Sequence, residues 1–147
     1  MLNMTIAPAT ETTLASDLLA VVARINRLAN QRVRLPLPFA QARLLSTIEA
    51  EGRARISDLA ALDHCSQPTM TTQVRRLEDA GLVSRTVDPD DARAVLISIT
   101  PHGVATLEQV RADRGNAIDP FLEELDSSDR DTLAAAVQIM RGLLATH

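Results

Sequence analysis

The order of pattern changes between Ile56 and Gly103 leaves few folds open to this chain. Two short helical patterns come first, joined by a tight connection at Asp63 to Cys65. Two strand-like runs follow, on either side of a charged turn at Asp88 to Arg93. Helix, turn, helix, hairpin is the order of a helix-turn-helix with a β-ribbon wing. A short helix with one polar face can enter the major groove of DNA, and a hairpin tip with an arginine can reach the adjacent minor groove.

The second of the two helices carries most of this reading. Ser66 is placed as an N-cap whose hydroxyl can accept a free backbone N–H. Pro68 falls in the first turn, where a missing N–H costs little. Met70, Val74 and Leu77 recur at i, i+4 and i+7 and predict an apolar stripe facing a core. Gln67, Thr71, Thr72, Arg75 and Arg76 lie on the other side, and Gly81 ends the pattern. Alone, this helix would suit a solvated surface equally well; the hairpin after it favours the groove. In the hairpin, Leu82 to Val87 and Ala94 to Ile99 are the expected strands. The turn between them holds Pro89 and three aspartates, Asp88, Asp90 and Asp91. An aspartate there can bond its own backbone or pair with Arg93 and fix its direction. A solvated loop with a stray arginine fits the chemistry of the turn about as well.

The run from Ser66 through Thr69, Thr71, Val74, Arg76, Leu77, Glu78, Gly81, Leu82 and Arg85, then Asp91 and Arg93, then Thr100 and Gly103, resembles the winged-helix core of the MarR family (multiple antibiotic resistance regulators). With the flanking helices the resemblance extends from about Leu14 to the C-terminus. It implies a homodimeric transcription regulator, usually a repressor, often relieved by a small ligand or an oxidant. The DNA-binding set expected here is Ser66, Gln67, Pro68, Thr69, Thr71, Thr72, Gln73, Arg75, Arg76 and Arg93. Of these, Gln67, Thr71, Thr72 and Arg75 are assigned to the groove, Ser66 and Arg76 to the DNA backbone, and Arg93 to the minor groove. Asp91 and Arg85 are expected to support the wing. The resemblance also implies an effector crevice, for which Arg24, Phe39, Arg43, Leu44 and Val110 are the candidates.

Composition bounds the rest. At 147 residues one domain is expected, with no long apolar run or signal segment, so a cytoplasmic protein without membrane contact. Every one of the 15 basic residues is arginine. The net charge of −4 is unusual for a nucleic-acid binder, so its location matters. Residues 1–52 carry +1, residues 53–93 carry −1, and residues 94–147 carry −4, away from the expected DNA face.

Residues 1–11 have no periodic pattern and are expected to be loosely held. A helix from Thr12 or Thr13 to about Arg32 follows, then a second from Phe39 to Ala50, closed by Gly52. A small third strand is expected at Arg55-Ile56. Ser57 is expected to cap the first helix of the helix-turn-helix, Asp58 to Leu62, with Leu59, Ala60 and Leu62 packed on its partner. Thr100-Pro101 opens a long helix, in which Gly115 and Pro120 predict a kink or break near Asp119. Asp126 and Asp129 resemble a capping box for the last helix. The expected fold is mainly α with a small β-hairpin wing, with residues 39–99 as the winged lobe and residues 12–32 and 101–147 as dimerisation helices. Leu14, Leu18, Val22, Leu133, Val137, Met140 and Leu144 are the expected dimer residues. The stripe alone could also close a monomer core.

Cys65 is the sole thiol and reads as a small core residue. A thiol- or metal-responsive regulator acting through Cys65, with His64 beside it and His102 on the fifth helix, is one alternative. A winged helix used only for protein–protein contact is the other. No nucleophile-base-orienter set or phosphate loop points to an enzyme, and neither cofactor nor metal is expected.

Overall fold

A computed structural model describes residues 11–146. Residues 1–10, which carry most of the segment expected to be loosely held, lie outside the described residues. The element order is α1 (Glu11–Arg32), α2 (Phe39–Glu51), β1 (Ala54–Arg55), α3 (Ile56–Leu62), α4 (Gln67–Asp79), β2 (Val83–Asp88), β3 (Asp91–Ile99), α5 (Pro101–Glu123) and α6 (Ser127–Ala145). The chain forms two compact units. Among the described residues, one holds those up to Val33 and from Arg114 onward; the other is Arg34–Asp113.

The second unit is the winged lobe. Its core joins α2, α3, α4, the sheet and the first part of α5, with Leu45, Ile48, Leu59, Met70, Val74, Leu77 and Ile97 fully shielded from solvent. Each such side chain contributes about 1.5–3 kcal/mol of apolar burial. The predicted stripe of α4 is its buried face, because Met70, Val74 and Leu77 return to the same side every turn. The sheet is antiparallel in the order β1-β3-β2. Ala54 pairs with Ile97 and Arg55 with Leu96, while β2 runs beside β3 from the Val83–Ile99 pair to Asp88–Asp91.

Two tight helix endings set the angle between α3, α4 and the wing. After α3, Cys65 N–H bonds the Ala60 carbonyl and His64 N–H bonds that of Ala61, with His64 at φ 50°. After α4, Leu82 N–H bonds Leu77 and Gly81 N–H bonds Glu78, with Gly81 at φ 74°. Both are Schellman endings, which require a left-handed residue just past the helix. Glycine meets that requirement without strain at position 81; His64 meets it with a side chain attached.

Several expectations change here. The helix after β1 starts at Ile56, not Asp58, and Arg55 is its N-cap with no side-chain bond. Arg55 is still paired in the sheet, so the chain passes directly from strand to helix and Ser57 falls inside the first turn. Leu62 is 53% exposed, because the inner face of α3 centres on Leu59 and Ala60. α5 runs unbroken through Pro120 to Glu123. Pro120 is near the helix end and exposed, so its missing N–H leaves only a carbonyl that solvent can reach. The wing turn is also tighter than the six residues expected. β2 extends to Asp88 and β3 begins at Asp91, leaving Pro89 and Asp90 as the turn and placing Arg93 within a strand.

In the first unit, Arg114 donates to Asn26 at 2.7 Å and the Arg32 guanidinium lies 4.9 Å from the centre of the Phe121 ring. The predicted cap of α6 forms: Asp126 accepts the Asp129 N–H at 2.8 Å. No residue of α6 is buried, and Leu14, Leu18, Val22, Leu133, Val137 and Leu144 all stand exposed, with Met140 half-buried.

Candidate nucleic-acid interface

The face of α4 opposite its buried stripe begins at a formed cap. Ser66 Oγ accepts the Thr69 N–H at 3.3 Å and donates to Thr69 Oγ1 at 2.8 Å, satisfying one of the free amides of the first turn. Pro68 occupies that turn at no hydrogen-bond cost. Gln67, Pro68, Thr69, Thr72, Arg75 and Arg76 are exposed, whereas Thr71 and Gln73 are half-buried. The Thr72 hydroxyl donates to the Pro68 carbonyl at 3.1 Å, so outward it offers its methyl and an acceptor rather than a donor.

Some arginines of the lobe are held in ion pairs and others are not; Arg34 and Arg53 are exposed and, among the described residues, unpaired, outside α4 and the wing. Arg43 pairs with Asp63 at 3.3 Å, Arg111 with Glu49 at 2.7 Å, and Arg85 with Glu78. The last pair ties the wing strand β2 to the end of α4. Arg75, Arg76 and Arg93 are exposed and, among the described residues, form no ion pair. Unpaired guanidinium groups on a protruding surface are well suited to phosphate and base edges, because no internal partner must first be given up.

The wing tip is built on aspartates. Asp88 Oδ1 accepts the Asp90 N–H at 2.9 Å, and Asp91 Oδ1 accepts the Arg93 N–H at 3.0 Å. These bonds close the turn by the local side-chain route expected of Asp-Pro-Asp. The other oxygen of Asp88 meets Arg55 Nη2 at 2.6 Å, with the Asp88 side chain only 8% exposed. The Asp88 carboxyl is held below the usual aspartate range, first by the Asp90 N–H and then by Arg55, against the opposing effect of burial. The Arg55 guanidinium is raised in turn by its bond to Asp88. This pair is absent from the sequence expectations. The Asp-Pro-Asp signal identifies the turn, but nothing local identifies a partner on another strand.

The start of α5 is fastened to the end of α4. Thr100 Oγ1 donates to the Gly81 carbonyl at 2.6 Å and accepts the Gly103 N–H at 3.0 Å. Gly103 is a close approach: a Cβ there would lie 2.1 Å from the Leu82 carbonyl oxygen. Beside this joint is a groove of about 480 Å³, lined by Leu37, Pro38, Gln41, Leu82, His102 and Thr106 among others. The effector candidates are not on its wall. Leu44 and Val110 are buried in the core of the lobe, Phe39 and Arg43 lie on α2, and Arg24 lies in the other unit. Cys65 is half-buried against the same core.

A capped helix over a buried stripe, followed by a hairpin that presents unpaired arginine, defines a winged helix-turn-helix protein of the transcription-regulator class. Residues 37–95 match the model of the MarR family. An HTH-type transcriptional regulator of Mycobacterium bovis is 33% identical over 132 residues, which is 89% of this chain and 92% of that protein. The structure of the transcriptional regulator Tm0710 from Thermotoga maritima superposes with a TM-score of 0.75 at 26% identity, covering 92% of this chain and 96% of that one. MepR from S. aureus, solved bound to an oligodeoxyribonucleotide, gives a TM-score of 0.64 at 21% identity, covering 90% and 98%. The chain belongs to the MarR family of DNA-binding transcriptional regulators.

Proposed function

We propose that this regulator is a homodimeric repressor that reads a pseudo-palindromic operator, with α4 in the major groove and the wing in the adjacent minor groove. The observation that carries the assignment is where the unpaired arginines lie: Arg75 and Arg76 on the outer face of α4 and Arg93 on the wing strand stand exposed without an ion pair among the described residues, whereas Arg34 and Arg53, also exposed and unpaired, lie outside both elements. In this reading Gln67, Thr71, Thr72, Gln73 and Arg75 face base edges. Ser66, Pro68, Thr69 and Arg76 face the phosphates, and Arg93 enters the minor groove. The oligonucleotide-bound MepR supports DNA as the partner of such a fold. The exposed apolar residues of α1 and α6 support a dimer, whose symmetry would set two copies of α4 about 34 Å apart, one helical turn of DNA. Release by a small ligand belongs to the same proposal. The groove beside Leu82 and His102 supports it, since an occupant there would press on the last turn of α4.

The test is a fluorescence-anisotropy titration against the DNA flanking the protein's own gene, at two salt concentrations. Saturable binding that weakens with salt is expected. Arg75→Ala and Arg93→Ala should each lose roughly tenfold in affinity, in the lower part of the 1–3 kcal/mol range for a base-contacting arginine, with the melting temperature unchanged. Equal binding by both variants and the wild type would rule out this interface.

A further inference from the structure

We infer that the ion pair between Arg55 and Asp88 selects the wing register, making both positioning residues for Arg93 rather than DNA contacts themselves. The inference rests on the reading above, in which Arg93 enters the minor groove. Asp88 is the last residue of β2 and stands where the ladder becomes irregular, between the Val87–Val95 and Asp88–Asp91 pairs. Its two oxygens do different jobs. One closes the turn on the Asp90 N–H, and the other holds Arg55 at 2.6 Å.

The sequence of the tip makes a selector necessary. Asp88, Asp90 and Asp91 are all able to accept a backbone N–H two residues on, so the tip can be closed in more than one register. A slip of one residue turns every side chain of the strand to the opposite face. Arg93, two residues beyond Asp91, would then point away from the groove that it otherwise faces. The observed register sets the Asp88 carboxylate in direct contact with Arg55. Arg55 is itself fixed, since it pairs with Leu96 at the end of β1 and is the N-cap of α3. The tip is thereby referenced to the first helix of the helix-turn-helix.

The experiment uses a duplex selected by the wild-type protein from a random-sequence pool, with binding followed by anisotropy. Asp88→Asn is the informative variant. It removes a negative charge from the DNA-facing lobe, so simple electrostatics predicts tighter binding, whereas register selection predicts weaker binding, by roughly tenfold if the contribution of Arg93 is lost. In the double variant Asp88→Asn/Arg93→Ala, the loss should be no greater than for Arg93→Ala alone, because both changes remove one interaction. Arg55→Gln should behave like Asp88→Asn, and Arg55→Lys should recover most of the affinity. Melting temperatures serve as the folding control, and Arg55→Lys keeps the test open if Arg55→Gln does not fold. Unchanged or tighter binding by Asp88→Asn overturns the inference, as do losses that add in the double variant, since additivity would mean that Asp88 contributes to binding independently of Arg93. If Arg93→Ala itself binds like the wild type, the wing assignment under the proposed function fails as well, a result distinct from failure at Asp88 alone.

Discussion

At the scale of single residues, Asp88 has a consequence that can be measured without DNA. Its carboxyl is held below the usual range by the Asp90 N–H and then by Arg55, while Asp91 and Asp58 also act on the Arg55 charge. A depressed folded value means that the unfolded chain takes up the proton at higher pH than the folded one. The stability from this site is therefore complete above the ordinary aspartate range, near pH 4 or so, and is lost as pH falls through the lowered value. Thermal midpoints of the wild type and Asp88→Asn should differ most near neutrality and converge in acid. A constant difference across the range would exclude ionisation of Asp88 as the cause. What could be read from the sequence at this scale was local. Ser66 as a cap and Gly81 as a helix end follow from the few residues around each, and both are found. The partner of Asp88 was not legible because it is 33 positions away, and only folding brings the two together.

At the scale of elements, the joint between α4 and α5 has the least room. Gly103 lies under the carbonyl of Leu82, and a methyl group would meet backbone rather than a side chain that can swing aside. Gly103→Ala should cost about 1–3 kcal/mol, the usual range for overpacking, seen as a lower urea midpoint. An unchanged midpoint would show that α5 can shift freely against Leu82. The order of elements was legible because each announces itself by period: the α4 stripe every three to four residues, and the alternation from Val95 to Ile99 every two. Element ends were less so. Of the kink or break expected near Asp119, the break is absent: Pro120 sits in the last turn at the surface, where the Asn116 carbonyl that it leaves unbonded is open to solvent. The wing turn is narrower than the sequence suggests because three aspartates look like loop, although the side chains of two of them, Asp88 and Asp91, are what hold it to two residues. Arg93 accordingly stands not at the tip but on a strand whose register decides its direction.

At the scale of the whole molecule, the exposed apolar residues of α1 and α6 call for a covering surface. Leu14 is 71% and Leu144 80% exposed in the single chain. A stable pairing of proteins buries about 1,200–2,000 Å² in total, and helices of this length can supply it. Light scattering should give twice the chain mass for the wild type and the chain mass for Val137→Asp, with the winged lobe still folded in the variant. A monomeric wild type at micromolar concentration would remove the two-fold operator from the proposed function. The acidic balance of the chain was the sequence feature most at odds with its family, and its placement resolves it: the excess falls beyond residue 93, past the helix-turn-helix and the tip of the wing. The pairing of Ala54 with Ile97 has an implication for the ribosome. Both helices of the DNA-reading motif are synthesised before the strand that closes the sheet around them. The nascent helix-turn-helix must therefore wait, its lobe unfinished, until the wing has emerged from the exit tunnel.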